Sequence, residues 1–308
     1  MRFQSKSLLA CAMAVAVTLS GSCSAQQRLP RPVADQQVAA PDQARPALWR
    51  VSDADTTIYL FGTVHALPEG VQWLDGPVAT AFEASDELVT EIVESSPAEM
   101  QALVVNKAML APGKSLRTLL PPKDRLALET ALRQHNLPVE SFDRFEPWYA
   151  AIALATLPLL RDGYATENGV ETALDARAKA LNRPHLALET AEYQLGLFDS
   201  LPFAVQKRYL REVITGMPQM RAELAAIIAA WQVGDAEKLA RLMNEDESDP
   251  ALEAALLTNR NRNWAGWIKQ RLDRPGAVFV AVGAGHLAGR GSVQDQLKTL
   301  GFTTTRVQ

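Results

Sequence analysis

Two apolar segments of this chain end in the same way. Residues 58–61 (IYLF) run into Gly62, with His65 three positions later, and residues 277–282 (AVFVAV) run into Gly283, with His286 three positions later. A short apolar run closed by glycine is typical of a strand that turns into a loop. Because ligands of open α/β sheets bind beyond the carboxyl ends of the strands, both histidines are predicted at one edge of one sheet.

The strand patterns cluster towards the two ends of the chain, and helical patterns fill the middle. The segments with strand composition are residues 47–53, 56–63, 87–93, 183–190, 277–283 and 302–307. The first two predict a hairpin, and the last two, with a helix between them, predict a crossover. We therefore predict an α/β fold, with a central mixed sheet built from N- and C-terminal strands and a large helical insertion. Residues 147–160 are apolar nearly all round but too short to span a bilayer, which predicts a buried helix.

The domain itself is predicted to begin at Leu48 and to run to residue 308. Residues 1–25 combine a positive start (Arg2, Lys6), a short apolar stretch and small residues before a cleavage point, which is typical of a signal peptide. Residues 26–47 are rich in Gln, Pro and Ala and predict a flexible linker. The protein is therefore predicted to be exported and periplasmic, without a transmembrane helix in its mature form.

Cysteine and charge content limit the chemistry of the mature chain. Both cysteines, Cys11 and Cys23, lie in the predicted signal peptide, so cleavage would exclude disulfides, thiolate metal ligands and a cysteine nucleophile. In an alternative interpretation Cys23 carries a lipid anchor, although the residues before it lack the usual aliphatic side chain. The formal net charge is −4 with no long basic run, which argues against nucleic acid as a partner.

His65, Glu91 and His286 form the main candidate site. Two neutral imidazoles and one carboxylate suit a divalent transition metal, and three protein ligands leave one position open for water. A metal would lower the pKa of that water from about 15.7 towards 7 and so supply a nucleophile. The alternatives are structural: histidines that hydrogen-bond strand ends, and a Glu91 exposed on an edge strand. An unpaired carboxylate is costly to bury in an apolar strand, which favours function for Glu91.

Three further residues are weaker candidates. Glu189 ends a short apolar strand and is either another site carboxylate or an acidic residue that stabilises the start of the next helix. Arg260 and Arg262 lie on a predicted helix, where one of them could stabilise an oxyanion; Arg262 is included in the predicted catalytic set. His135 and His185 are predicted to be structural.

Several segments together resemble the bacterial TraB/PrgY/GumN family. They are LWRV, IYLFGTVHALPEG, DELVTEI, GVETALDARAKALNRPHLALETAEYQ, WQVGDAEKLARLM, RNRNWAGWI and FVAVGAGHLAGRGSVQDQLKTLGF. This family is related to the Tiki proteins, membrane-tethered metalloproteases that use Mn or Co and have two G-x-x-H motifs and a glutamate. The resemblance implies that the two motifs are Gly62–His65 and Gly283–His286, and that the glutamate is Glu91. Unlike animal Tiki proteins, this chain shows no C-terminal membrane anchor.

Three functions remain open at this point. The first is an exported, peptidase-like hydrolase that cleaves a peptide or protein substrate with Mn, Co or Zn held by His65, Glu91 and His286. The second needs no metal: as in the erythromycin-esterase-like proteins of the wider fold group, His65 is a general base and Glu91 orients the water. The third is a non-enzymatic protein that binds haem or a metal, as ChaN-like relatives suggest, or assists envelope polysaccharide assembly.

Overall fold

The computed structural model describes residues 43–161, 164, 168–244 and 249–308. The predicted signal peptide, Cys23 and most of the predicted linker lie outside these residues. The strands are β1 (Leu48–Ser52), β2 (Thr56–Thr63), β3 (Glu87–Thr90), β4 (His185–Ala187), β5 (Gly276–Gly283) and β6 (Thr305–Arg306). The α-helices are α1 (Gly76–Glu83), α2 (Pro97–Ala108), α3 (Leu116–Leu119), α4 (Pro122–Gln134), α5 (Pro147–Arg161), α6 (Val170–Ala180), α7 (Ala191–Asp199), α8 (Phe203–Gly216), α9 (Met220–Gln232), α10 (Ala236–Met243), α11 (Pro250–Glu253), α12 (Asn259–Leu272) and α13 (Val293–Thr299). A π-helix (Ala254–Thr258) joins α11 to α12, and a 3₁₀-helix (Ala284–Leu287) follows β5.

The strands form one mixed sheet in the order β4-β3-β5-β2-β1-β6. Strands β4, β3, β5 and β2 are parallel, β1 is antiparallel to β2, and β6 is antiparallel to β1. The predicted α/β fold, with a sheet shared by the two ends of the chain, is confirmed. The crossover from β5 through α13 reaches β6 by passing over β2 and β1, so the two strands that it joins are parallel but not neighbours.

Both faces of the sheet are covered, as the side chains of β5 show. Val278, Val280 and Val282 pack with apolar residues of α12 and α13, whereas Phe279 and Ala281 pack with α1 and the helical insertion. This alternation is expected of a pleated strand that is buried on both sides. The protein therefore has three layers, with the sheet in the middle.

The helical insertion lies between β3 and β5 and is interrupted by β4. Its apolar helix α5 is buried as predicted, since Trp148, Ala150 and Leu154 have no exposed surface. Within the described residues, every helix is too short or too polar to cross a bilayer.

The two ends of the folded body meet beside β1. The amide of Leu48 donates to the carbonyl of Gln308 at 3.3 Å, and the side chain of Gln308 donates to the carbonyl of Pro46 at 2.9 Å. The chain is already attached before Leu48, because the amide of Ala44 donates to Gln72 and that of Arg45 to Gln232. The last residues assigned to the linker therefore pack on the body.

The third strand is shorter than the predicted segment, residues 87–93. In a parallel ladder, every second residue of a strand accepts from the neighbouring strand. Here the amides of Leu188 and Glu189 donate to two successive carbonyls, those of Thr90 and Glu91, so the regular ladder ends at Thr90. Glu91 is therefore the first residue beyond the strand and not a member of it. This places its side chain at the edge where the two histidines were predicted.

Candidate functional site

The two strand ends that carry the histidines, residues 62–65 and 283–286, are called the first and second corner. They come from adjacent parallel strands. Strands β2 and β5 are paired so that Gly62 lies opposite Val282 and Thr63 lies opposite Gly283. His65 follows β2 by two residues, and His286 lies in the 3₁₀-helix that follows β5. The corners therefore lie side by side at the carboxyl edge, as the repeated pattern predicts.

Both glycines are needed for close approach, and neither has a positive φ. A Cβ atom on Gly62 would lie 3.1 Å from Cα of Ala284, and one on Gly283 would lie 3.2 Å from Oε1 of Glu91. Gly62 brings the two corners together, and Gly283 makes room for the carboxylate.

We expect Gly62→Ala to lower the free energy of unfolding by about 1–3 kcal/mol, because the added methyl group must push Ala284 and the second corner away. Urea unfolding measures the change. Gly266 on α12 faces open space, so Gly266→Ala is the matched control, expected to be neutral or to stabilise by up to about 1 kcal/mol. Equal effects of the two substitutions would contradict the close approach.

Glu91 is held as an anion by several donors. Its Oε1 accepts the amide of Gly283 at 2.8 Å, and its Oε2 accepts Gln194 at 3.0 Å and Arg260 at 2.5 Å. Burial opposes this charge, but Arg260, the neighbouring His286 and His65, and the Gly283 amide outweigh burial and hold the pKa of Glu91 well below its usual range.

Arg260 lies at the centre of the cluster, and each of its five N–H groups has an acceptor. Its Nε donates to Glu189 at 3.0 Å, and its Nη2 donates to Glu91 and Glu189. Its Nη1 lies 3.1 Å from both the carbonyl of Leu256 and Nε2 of His286.

Leu256 belongs to the π-helix, whose wider turn shifts backbone hydrogen bonding from the fourth to the fifth residue. The guanidinium also lies over the ring of Trp264, with 4.8 Å from Cζ to the ring centroid.

The tautomer of His286 follows from its two partners. Its Nδ1 lies 2.6 Å from the side-chain oxygen of Asn261, which only accepts, so Nδ1 carries the proton. Its Nε2 then has the single lone pair, which accepts Nη1 of Arg260. Burial and the Arg260 charge lower the pKa of His286 to about 3, so this imidazole is neutral at pH 7.

His65 is paired with a carboxylate that the sequence did not single out. Its Nδ1 lies 2.7 Å from Oε1 of Glu171, in the first turn of α6. The amide of Val170 donates to the carbonyl of Val64 at 3.2 Å and so fixes the start of α6 to the corner. Burial lowers the pKa of His65, but Glu171 outweighs burial and, with Glu91, raises it to about 9.

The structure brings Glu189 into the cluster and leaves Arg262 outside it. Glu189 accepts Arg260 and the indole N–H of Trp264, the latter at 2.9 Å. Arg262 is exposed and donates to Asn259 on its own helix. Of the two arginines, Arg260 and not Arg262 therefore reaches the candidate site.

The other two histidines lie apart from this set. The imidazole of His185 bridges Asp175 and Thr90, at 2.9 Å and 2.7 Å. His135 is the C-cap residue that directly follows α4, and its amide donates to the carbonyl of Ala131 at 3.1 Å. These contacts fit the structural roles predicted for them.

The donor set does not fit the predicted metal centre. Among the described residues, no group of three or more His, Asp, Glu or Cys side chains is arranged to hold a metal ion. The reason is chemical: Nε2 of His286 has one lone pair, and Arg260 uses it. Oε2 of Glu91 also accepts Arg260, at 2.5 Å. A guanidinium therefore bridges Glu91 and His286, two of the three residues that the two-His, one-Glu hypothesis names as ligands.

A family model matches almost the whole folded body. It is that of the TraB/PrgY/gumN family, and it matches residues 47–306. Similar proteins include an uncharacterized protein of Treponema pallidum, 22% identical over 266 residues, which is 81% of this chain and 79% of the relative. The uncharacterized protein YbaP of Escherichia coli is 22% identical over 240 residues, which is 78% of this chain and 87% of YbaP. No solved structure matches the chain.

Proposed function

The chain belongs to the TraB/PrgY/gumN family, and within that family we propose that it is a hydrolase that activates water with His65. The observation that carries this proposal is the 2.7 Å contact between Nδ1 of His65 and Glu171 at the carboxyl edge of the sheet. The charge of a carboxylate beside one ring nitrogen stabilises the imidazolium, as the aspartate does in the histidine–aspartate pair of serine hydrolases. The other nitrogen, Nε2, is then the base.

The remaining groups support this base. Oε1 of Glu91 accepts one protein donor, the amide of Gly283, and keeps acceptor capacity for a hydrogen of the attacking water. Arg260 keeps Glu91 ionised in a buried place. All its N–H groups donate to protein acceptors. We therefore assign Arg260 the role of keeping Glu91 ionised, and not that of stabilising an oxyanion.

The substrate and location follow from the resemblance and the amino-terminal sequence. Peptide or protein substrates are proposed because the Tiki relatives are proteases. Export is proposed because residues 1–25 have the pattern of a signal peptide. Cell fractionation of the intact chain, with an antibody against its folded part, tests export; protein found wholly in the cytoplasm contradicts it.

The pH dependence of hydrolysis tests the role of His65. A general base acts when neutral, so with a pKa of about 9 the value of kcat/KM should rise with pH and level off above 9. Replacing Glu171 by Gln removes the charge that raises this pKa, and the rising limb should move at least one pH unit towards acid. Asp175→Asn, one helical turn further on, changes the partner of His185 and should leave the limb in place.

Suitable probes are a fluorogenic peptide library and p-nitrophenyl acetate, each assayed with and without EDTA. A limb that does not move in Glu171→Gln, or a rate that falls as pH approaches 9, would overturn the assignment of His65 as the base. Loss of hydrolysis in EDTA, with recovery on addition of Mn²⁺, would overturn the metal-free form of the proposal.

A further inference from the structure

Three buried side chains of the cluster have the ligand atoms of a metal site, but they surround a fourth, the cation of Arg260. The side chains of Glu91, Glu189, Arg260 and His286 are 10%, 5%, 5% and 6% exposed. Two carboxylates and one imidazole nitrogen are a common ligand set for divalent transition metals. Here the same three groups all accept N–H groups of Arg260.

Hydrogen bonds along the edges of the guanidinium and an aromatic ring against its face hold it in this position. Glu189 binds it through both Nε and Nη2, the carbonyl of Leu256 accepts Nη1, and the ring of Trp264 lies against its face. Arginine stays charged at any physiological pH, so this positive charge is permanent.

We propose that Arg260 is a built-in substitute for a divalent metal, and that removing its guanidinium creates a metal site formed by Glu91, Glu189 and His286. Two carboxylates would then have no counter-charge, and a divalent cation would neutralise them. The lone pair of His286 would be released in the required tautomer, because Asn261 already holds the proton on Nδ1. The inference concerns metal binding and stands whether or not His65 activates water.

Metal content and cobalt binding test the inference on the folded protein. Wild type, Arg260→Met and Arg262→Met are dialysed against Co²⁺, washed, and measured by elemental analysis and by visible Co²⁺ absorption. The wild type and Arg262→Met should retain less than about a tenth of an equivalent, because a stable guanidinium occupies the ligands. Arg260→Met should retain one equivalent with Co²⁺ absorption, and adding His286→Ala should lower its affinity for Co²⁺ by at least tenfold.

A second variant guards against misfolding of Arg260→Met. In the double variant Arg260→Met/Glu189→Gln only Glu91 keeps an uncompensated charge, and Co²⁺ should still bind through Glu91 and His286 and raise its Tm. Stoichiometric Mn, Co or Zn in the wild type would overturn the first half of the proposal. A folded Arg260 variant that takes up no Co²⁺ would overturn the second half. Neither result depends on hydrolysis, so each is distinct from a failure of the proposed function.

Discussion

Replacing His65 by alanine is expected to lower kcat/KM for hydrolysis by about 10²–10⁴-fold, the range that a positioned general base contributes. The loss should be largest above pH 9, where the wild-type imidazole is neutral. The measurement is the pH–rate profile of the variant beside the wild type on the same fluorogenic peptide. The variant should show no rising limb near pH 9, because the group that titrates there has been removed.

His185→Ala is the matched control for this prediction. His185 is also a half-buried histidine paired with a carboxylate of α6, and Asp175 lies four residues after Glu171 on the same helix. Its loss should reduce stability but leave the limb near pH 9 in place. A similar loss of rate in both variants, or a full rate in His65→Ala, would refute a catalytic role for His65.

Replacing Arg260 by methionine is expected to lower the free energy of unfolding by about 3–5 kcal/mol, the usual cost of removing one partner from a buried ion pair. Arg260 is 4% exposed, and its loss leaves Glu91 and Glu189 buried without their counter-charge. Urea unfolding at pH 7 in the absence of divalent metal measures the effect.

Arg262→Met is the control on the same helix. Arg262 is exposed, so its substitution should change the free energy of unfolding by no more than about 0.5 kcal/mol. Adding Glu189→Gln to Arg260→Met should recover part of the loss, because one of the two unpaired charges disappears. Equal and small effects at both arginines would show that the buried ion pairs are not formed in solution.

The strand-end residues could be predicted because they depend on local pattern. An apolar run followed by glycine marks a strand end in any context, and parallel strands bring their carboxyl ends to one edge. His65 and His286 follow directly from this, and Glu91 follows because an unpaired carboxylate is costly to bury in an apolar strand. The structure places Glu91 one residue beyond that strand. Their ligand role could not be judged in the same way, since it depends on Arg260, which lies 169 residues from Glu91 in sequence.

Which of the two arginines, Arg260 or Arg262, faces the site could have been predicted from the sequence. Trp264 and Ile268 are buried, four and eight residues after Arg260, so the apolar face of α12 passes through Arg260. Arg262 is about 200° further round the helix and faces solvent. Helical periodicity, applied to this segment, would have selected Arg260.

Glu171 was beyond the reach of sequence patterns. An acidic residue in the first turn of a helix is common and stabilises the helix dipole. Its contact with His65 exists because α6 begins at the first corner, where the amide of Val170 meets the carbonyl of Val64. No local signal links residue 171 to residue 65, since the whole helical stretch from α2 to α5 separates them.

The two ends of the folded body meet beside β1, so that the folded body is almost a closed loop. Since the Leu48 amide and the Gln308 carbonyl are 3.3 Å apart, a short peptide could join the ends, and the chain could be cut in an exposed turn of the insertion. Such a circularly permuted protein would keep the sheet, the π-helix and α12, and with them the side chains around Arg260. The order in which the strands are synthesised would change, while the order in which they lie in the sheet would not.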